Sequence, residues 1–236
     1  MPSTPAPVEP RHRAVAPAWH TAIVLFVLLG LSLAGAVSGS LPFVGKFGRA
    51  WGYVLIAAFE WIVVGFIWYG VKQRAVSLRD LIGGRWARPV AVLLDLAIAI
   101  GFLAVCGGGV LNGLGYLLKA APNQALRSMF PHGPSETILF LVLALTAGFC
   151  EEVIFRGYLL RQFAAWTHAA VGGIVFQGIA FGISHGYQGW KYMLLIAVYG
   201  TLFGMLAQWR RSLRPGMITH FLQDGIGGLL ASHFLR

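Results

Sequence analysis

The stretch that decides the fold of this chain is Ile138-Leu-Phe-Leu-Val-Leu-Ala-Leu-Thr-Ala-Gly-Phe-Cys-Glu-Glu-Val-Ile-Phe-Arg-Gly-Tyr-Leu-Leu160. It starts as an unbroken apolar run and then carries two acids and one base within the same run. A helix that crosses a lipid bilayer needs about 20 mostly apolar residues, and this stretch reaches that length. Charged side chains inside a bilayer are costly and need a partner or a watery cavity, so the same stretch also predicts a functional site.

The composition of the whole chain is typical of a membrane protein. Of its 236 residues, 57% are hydrophobic and only 11% are charged, against roughly a quarter charged in a soluble domain. Residues 1–17 are polar and rich in Pro and Ala, which predicts a disordered tail. We therefore expect an all-α integral membrane protein with a single domain over residues 18–236. It would form a bundle of about seven transmembrane helices around an intramembrane polar cavity.

Each predicted span covers one apolar block. The blocks run approximately over residues 19–37, 51–71, 90–118, 135 to beyond 161, 169–184, 192–209 and 215–234. Between the second and third blocks, Ser77-Leu-Arg-Asp80 predicts a short helix with an N-terminal capping box. Glycines in the fifth and sixth blocks predict close helix packing around the cavity.

The net charge of +10 does not indicate nucleic-acid binding, because the basic residues cluster in connections such as 72–88 and 210–214. That distribution follows the positive-inside rule of membrane topology. The excess of basic residues on the side of the N-terminus predicts a cytoplasmic N-terminus. Abundant Ala and Gly, with Arg preferred over Lys, favour a bacterial chain. We therefore expect a multi-pass protein of the bacterial inner membrane.

Ionisable residues inside the predicted spans are the candidate functional residues. Glu152 and Arg156 are one helical turn apart, so they lie on the same face and can pair. Glu151 is rotated by about 100° from its neighbour and cannot share Arg156 as easily. It is free to point into a cavity. The alternative is a purely structural ion network of all three residues near the membrane interface.

Two later helices add imidazole groups. His185 ends the motif Phe181-Gly-Ile-Ser-His185, and the motif His220-Phe-Leu-Gln-Asp224 places an imidazole beside a carboxylate. Taken alone, each motif fits a structural role at a helix end or in helix packing. Together with Glu151, these groups fit general-base catalysis, oxyanion stabilisation or divalent-metal binding.

Other ionisable residues in the spans are weaker candidates for the functional site. Glu60 and Asp95 stand alone in their blocks, and we expect them to pair with a base or to lie at the interface. Cys150 is a weak candidate nucleophile, because apolar surroundings disfavour the reactive thiolate.

The three motifs together resemble the signature of a known family. Their order and spacing are similar to those of the CPBP family of intramembrane proteases, which includes the type II CAAX prenyl endopeptidases and the bacterial Abi proteins. The resemblance covers about residues 75–230 and rests on Glu151-Glu152-x-x-x-Arg156, Phe181-x-x-x-His185 and His220-x-x-x-Asp224. It implies an intramembrane endopeptidase. The eukaryotic branch of the family implies prenylated CAAX proteins as substrates, whereas the bacterial composition of this chain favours a peptide or membrane-protein substrate.

The resemblance also implies a role for each motif residue. Glu151 and His185 would activate the attacking water, while His220 and Asp224 would stabilise the oxyanion or complete a metal site. Glu152, Arg156 and Phe181 would support these groups. A divalent metal such as zinc could be held by Glu151, His185, His220 and Asp224. Because the chain lacks the zinc-protease motif His-Glu-x-x-His, we expect water activation without an obligatory, tightly bound metal.

Two other functions use the same buried groups. A proton-coupled transporter or channel would relay protons through them, but the sequence shows none of the inverted repeats with broken helices that favour this function. A catalytically silent immunity or scaffold protein of the same fold is the second alternative. The complete set of motif residues argues against lost catalysis.

Overall fold

The computed structural model describes residues 13–38, 47–83, 86 and 88–234, and these residues contain helices and connections but no β-strand. Seven of the helices are long and two are short, in good agreement with the predicted blocks. They are α1 (Ala18–Ser38), α2 (Arg49–Lys72), α3 (Leu78–Ile82), α4 (Pro89–Leu117), α5 (Gln124–Ser128), α6 (Pro134–Thr167), α7 (Ala170–Ser184), α8 (Trp190–Arg210) and α9 (Arg214–Phe234).

Within the described residues, five helices are long and apolar enough to cross a membrane: α1, α2, α4, α6 and α8. The apolar helix α7 has 15 residues. At 1.5 Å per residue this is about 22 Å, which is shorter than the hydrocarbon core of a bilayer, about 30 Å. Helix α9 carries the polar residues of the third motif. The all-α membrane fold is therefore confirmed, and the count of about seven spans is approximate.

The outer surface of the bundle is strongly apolar. Phe26, Ile62, Val90 and Val142 each expose more than half of their accessible area, between 52% and 79%. A contiguous surface of this kind is unfavourable in water, whereas lipid chains solvate it.

Helix α6 is the centre of the bundle. It extends over 34 residues and packs against α2 and α9. Its segment Glu152–Leu159 is a π-helix in which every residue is buried. Such wide turns are rare and often mark functional sites. Here the π-helix holds Glu152 and Arg156 of the first motif in the interior of the bundle, and Glu151 directly precedes it.

Helices α7 and α8 pack closely through small residues. A Cβ atom added to Gly178 would lie 2.9 Å from the backbone nitrogen of Thr201, and one added to Gly182 would lie 2.5 Å from the carbonyl oxygen of Met193. Only glycine permits this approach between two backbones. The predicted close packing is therefore confirmed, and it brings the end of α7 to the wall of the cavity.

A buried hydrogen-bond network joins α1, α2 and α6. His20 contacts the carbonyl oxygen of Phe66 through Nε2 (2.8 Å) and the hydroxyl of Tyr158 through Nδ1 (2.7 Å). Because a carbonyl can only accept, Nε2 carries the proton and Nδ1 accepts from Tyr158. The hydroxyl of Thr21 lies 2.8 Å from that of Tyr158 and completes the network.

Residues 13–17 of the predicted tail lie against α6, whereas residues 1–12 lie outside the described residues. The N–H groups of Val15 and Ala16 donate to Oε1 of Gln162 (2.8 and 3.2 Å), and Nε2 of Gln162 donates back to the carbonyl of Ala16 (2.8 Å). Three hydrogen bonds thus attach this part of the segment to the bundle.

The connection between α2 and α4 contains the short helix predicted there. The Ser77 hydroxyl accepts from the N–H of Asp80, and the carboxylate of Asp80 accepts from the N–H of Ser77 (2.9 Å). This reciprocal pair is the predicted capping box of α3.

Candidate active site

The candidate site lies in a partly open cavity of about 900 Å³, lined mainly by the long helices. One part of its wall is apolar and is formed by side chains such as Leu28, Ile56, Phe140 and Leu143. Another part holds the ionisable side chains Glu60, Glu151, His185, His220 and Asp224. The cavity thus combines room for a peptide-sized ligand with a small group of reactive side chains.

Glu152 and Arg156 form the predicted ion pair, and we call this pair the brace. Nη1 of Arg156 lies 2.9 Å from Oε1 of Glu152, and neither side chain has any solvent exposure. The guanidinium is also sandwiched between aromatic rings, 4.2 Å from the centroid of Phe181 and 4.8 Å from that of Phe203. Both cation–π contacts stabilise the buried charge. Phe181 thus contacts the guanidinium of Arg156 directly, and its supporting role stays a prediction.

The ring of His220 contacts all three motif carboxylates. Its Nδ1 lies 3.1 Å from Oε1 of Glu152, and its Nε2 lies 3.6 Å from both Oε2 of Glu151 and Oδ2 of Asp224. Beside the carboxylate of Glu152, Nδ1 is the nitrogen that carries a proton. Separations of 3.6 Å are too long for direct hydrogen bonds and suit a contact bridged by water or substrate.

Glu151 is the carboxylate of the first motif that does not take part in the brace. It lines the cavity, and its side chain is 17% exposed. Among the described residues, its Oε2 atom is buried without a hydrogen-bond partner. A buried oxygen with unused acceptor capacity can bind a water molecule and take a proton from it.

His185 directly follows α7 and lines the same cavity. Its Nδ1 donates to the carbonyl oxygen of Phe181 (2.9 Å), which leaves Nε2 available as an acceptor. Within the described part of the chain, no ion-pair contact joins His185 to Glu151, and the imidazole that approaches Glu151 is that of His220. A joint action of His185 and Glu151 therefore requires a molecule between them.

The loop that carries His185 is held by two helices outside the motifs. In α1, the hydroxyl of Ser32 donates to the carbonyl of Ile183 and accepts from the N–H of Gly186 (2.9 Å). Nδ2 of Asn123, which precedes α5, donates to the carbonyl of Tyr187 (2.8 Å). Sequence reasoning missed these contacts, because a serine in an apolar helix gives no signal of its partner.

Gln177 is a second residue that sequence reasoning missed. It is fully buried, and its Nε2 donates to the carbonyl of Gly200 (2.8 Å), the same oxygen that Nη2 of Arg156 approaches at 3.5 Å. The available signal was an amide in an apolar helix, one turn before Phe181. Gln177 extends the support of the brace to α8.

The donor arrangement does not by itself form the metal site considered from the sequence. Among the described residues, no group of three or more His, Cys, Asp or Glu side chains is arranged to hold a metal ion. Nδ1 of His220 is engaged by Glu152, and Nδ1 of His185 is engaged by a backbone carbonyl, so Nε2 is the nitrogen that either ring could offer to a metal. A metal held by Glu151, His185, His220 and Asp224 stays a prediction.

The two isolated acids differ from each other. As predicted, Asp95 pairs with a base, since its Oδ1 lies 3.2 Å from Nη2 of Arg210, and Oδ2 accepts from Nε1 of Trp86 (2.8 Å). The same prediction is wrong for Glu60. This residue is 6% exposed in the middle of α2, and within the described residues it has no ion-pair partner.

Comparisons with known proteins agree with the motifs. Residues 133–226 match the family described as Rce1-like, type II CAAX prenyl endopeptidase, and this stretch contains all three motifs. The chain is also similar to the uncharacterized protein YpbD of Bacillus subtilis (strain 168), with 27% identity over 89 residues, which are 38% of this chain and 42% of that protein. The chain thus matches less than half the length of this curated relative.

No solved structure shows a significant match. The resemblance that the motifs indicate is nevertheless confirmed, because residues 133–226 of this multi-pass membrane protein match the Rce1-like type II CAAX prenyl endopeptidases, a family of proteases.

Proposed function

We propose that this protein is an intramembrane endopeptidase that hydrolyses a peptide bond with a water molecule activated by Glu151. One observation carries the proposal: the free, buried carboxylate oxygen of Glu151 faces a large cavity beside an imidazole that an ion pair holds in place. The match to a protease family supports hydrolysis over the transporter or channel alternative.

Glu151 and His185 would bind the attacking water. Oε2 of Glu151 and Nε2 of His185 are both available acceptors on the cavity wall, and in the proposed mechanism one water molecule donates to both. As the water oxygen attacks the peptide carbonyl carbon, its proton passes to Glu151. The protonated Glu151 then gives this proton to the leaving nitrogen while the C–N bond breaks, which returns the carboxylate.

His220 would stabilise the oxyanion of the tetrahedral intermediate. Since Nδ1 already donates to Glu152, an N–H on Nε2 requires the imidazolium form, and Glu151, Glu152 and Asp224 supply the counter-charge around the ring. A donor aimed at the position of developing charge is often the largest single catalytic contribution. The brace keeps the ring in this orientation without further reorganisation.

The decisive experiment is the substitution Glu151→Gln, which keeps the side-chain shape and removes the base. The purified protein in liposomes would be incubated with quenched-fluorescence peptides that contain a membrane-spanning segment. We expect cleavage to fall by about 10²–10⁴-fold, the usual contribution of a general base. Thermal unfolding would check that the variant folds.

Glu136→Gln is the matched control, because it removes one negative charge at the start of the same helix, where Glu136 pairs with Arg49 at 2.9 Å. Cleavage should be unchanged in this variant. Full activity of Glu151→Gln would refute Glu151 as the base. Comparing membrane peptides of cells that express either form would identify the natural substrate.

We further propose a location in the bacterial inner (cell) membrane with a cytoplasmic N-terminus. The distribution of basic residues supports the orientation, and the relative in Bacillus subtilis supports a bacterial cell membrane. Cysteines introduced at either end of α2 and labelled from outside the cell would test the orientation, since only the end near Arg49 should react.

A further inference from the structure

Glu60 of α2 is a cavity-lining carboxylate that the proposed mechanism does not use. Its neighbour Trp61 stacks on Phe149 of α6, with 5.3 Å between ring centroids. This contact brings Glu60 to the level of Glu151, and Glu60 lies within electrostatic range of both Glu151 and Asp224. The residue is therefore part of the wall next to the candidate catalytic groups.

The carboxyl group of Glu60 has no counter-charge within ion-pair distance in the described part of the protein. Its Oε2 atom is buried without a hydrogen-bond partner, whereas Glu151 and Asp224 both approach His220. The buried cation of the cavity wall, Arg156, is engaged by Glu152. Burying an ionised carboxylate without a counter-charge is strongly unfavourable, so Glu60 carries its charge only when a cation lies beside it.

Neither a structural role nor a metal-ligand role fits the geometry around Glu60. A structural role would require a partner on a neighbouring helix, and the described residues provide none within ion-pair distance. A metal-ligand role would require two further donors, and no such group exists among the described His, Cys, Asp and Glu side chains. Lys119 also lines the cavity, but among the described residues no ion pair joins it to Glu60, so we take the counter-charge from the occupant of the cavity.

We propose that Glu60 forms a subsite on the α2 wall of the cavity for a positively charged side chain, lysine or arginine, of the substrate. The inference rests on the proposed peptidase function for the identity of the ligand as a peptide. Glu60 lies outside the stretch matched to the protease family, so the N-terminal half of this chain contributes the subsite.

The first test measures binding without cleavage, in the Glu151→Gln background. The probes are fluorescent peptides with a Leu/Ala membrane-spanning segment, identical except for one residue that is lysine, norleucine or glutamine, moved stepwise along the segment. We expect the lysine peptide to bind at least about tenfold more tightly than the norleucine peptide at one position, because truncating a buried charge pair has effects of this size or larger.

Replacing Glu60 should remove this preference. Glu60→Gln should bring the ratio of lysine to norleucine affinities close to one, and Glu60→Asp should preserve part of it because the charge remains. Glu136→Gln is the charge-matched control and should keep the full preference. Thermal unfolding of each variant in detergent verifies folding, and Glu60→Asp provides the informative comparison if Glu60→Gln does not fold.

The second test measures cleavage of the same peptides with Glu151 intact. We expect Glu60→Gln to raise KM for the lysine peptide by about tenfold and to leave kcat nearly unchanged. A lysine preference that survives Glu60→Gln, or the absence of any preference, would overturn the subsite. Equal binding of glutamine and lysine peptides would also overturn it, since Glu60 would then act as a neutral hydrogen-bonding acid.

The outcomes separate the subsite from the proposed function. If binding depends on Glu60 and lysine but no peptide is cleaved, the subsite stands and the peptidase function fails. If cleavage occurs without dependence on Glu60, the function stands and the subsite fails.

Discussion

Removing the positive charge of the brace provides a quantitative test of the site. In Arg156→Met, the carboxylate of Glu152 stays buried without its 2.9 Å partner, and breaking a buried pair in this way costs about 3–5 kcal/mol. The two cation–π contacts of the guanidinium are lost as well, but apolar contacts of methionine with the same rings offset part of this loss. We expect a total of about 4 kcal/mol, which lowers Tm by about 8–16 °C in a chain of this size.

The double variant Glu152→Met/Arg156→Met separates stability from catalysis. Replacing a whole buried ion pair by apolar side chains of similar volume is often neutral or stabilising, so the double variant should recover most of the lost stability. It should not recover cleavage, because Nδ1 of His220 loses its 3.1 Å acceptor on Glu152 and the ring is free to turn.

The unfolding temperature and the cleavage rate can both be measured with purified protein in detergent. Thermal unfolding of the wild type, both single variants and the double variant, followed by tryptophan fluorescence, gives a double-mutant cycle, and cleavage of a quenched peptide gives the activity of the same samples. A wild-type Tm for Arg156→Met would refute the brace as a buried ion pair. So would a double variant that is no more stable than the single one.

Three further predictions address the surroundings of the site. Ser32→Ala should lower kcat by about tenfold with little change in KM, because the segment around His185 loses both hydrogen bonds to α1. Ser32→Thr keeps the hydroxyl and should retain most of the activity. Equal loss of activity in both variants would contradict the positioning role of Ser32. His20→Ala should lower the free energy of unfolding by about 3 kcal/mol, because it leaves buried groups on α2 and α6 without partners and opens a cavity; a wild-type Tm would contradict this. Hydrogen bonds from Ser77 hold the pKa of Asp80 below its ordinary value, so the capping box should stabilise α3 above the ordinary pKa and weaken as the pH falls through the lowered pKa. Amide exchange in α3 should therefore accelerate only at acidic pH. Exchange that is independent of pH after correction for its intrinsic rate would contradict the capping box.

Much of the fold and part of the candidate site could be predicted from local pattern. The helix from Pro134 to Thr167 follows from its apolar run, and the pairing of Glu152 with Arg156 follows from their spacing on one helical face. Because Glu151 lies off that face, the same spacing also predicted that its carboxylate is free to point into the cavity. These features depend on residues that are close in the chain, so they can be read from it directly.

Contacts between distant helices could not be predicted in this way. Glu60 was expected to pair or to lie at the interface, but it is buried in the cavity wall without a described partner. Its surroundings are set by the packing of α2 on α6. Ser32 and Gln177 support the site through backbone groups outside their own helices. Every residue carries the same backbone groups, so the sequence does not show which of them is the partner.

By itself, the sequence determined that this is an all-α membrane protein with a protease-like set of motifs, because hydropathy and helical periodicity act over short distances along the chain. Only the tertiary structure decided which imidazole meets which carboxylate. It places Nε2 of His220, and not the ring of His185, 3.6 Å from Glu151, and it adds Glu60 to the cavity. The physical reason is that these distances are set by how α2, α7 and α9 pack around α6, through contacts between residues far apart in the chain.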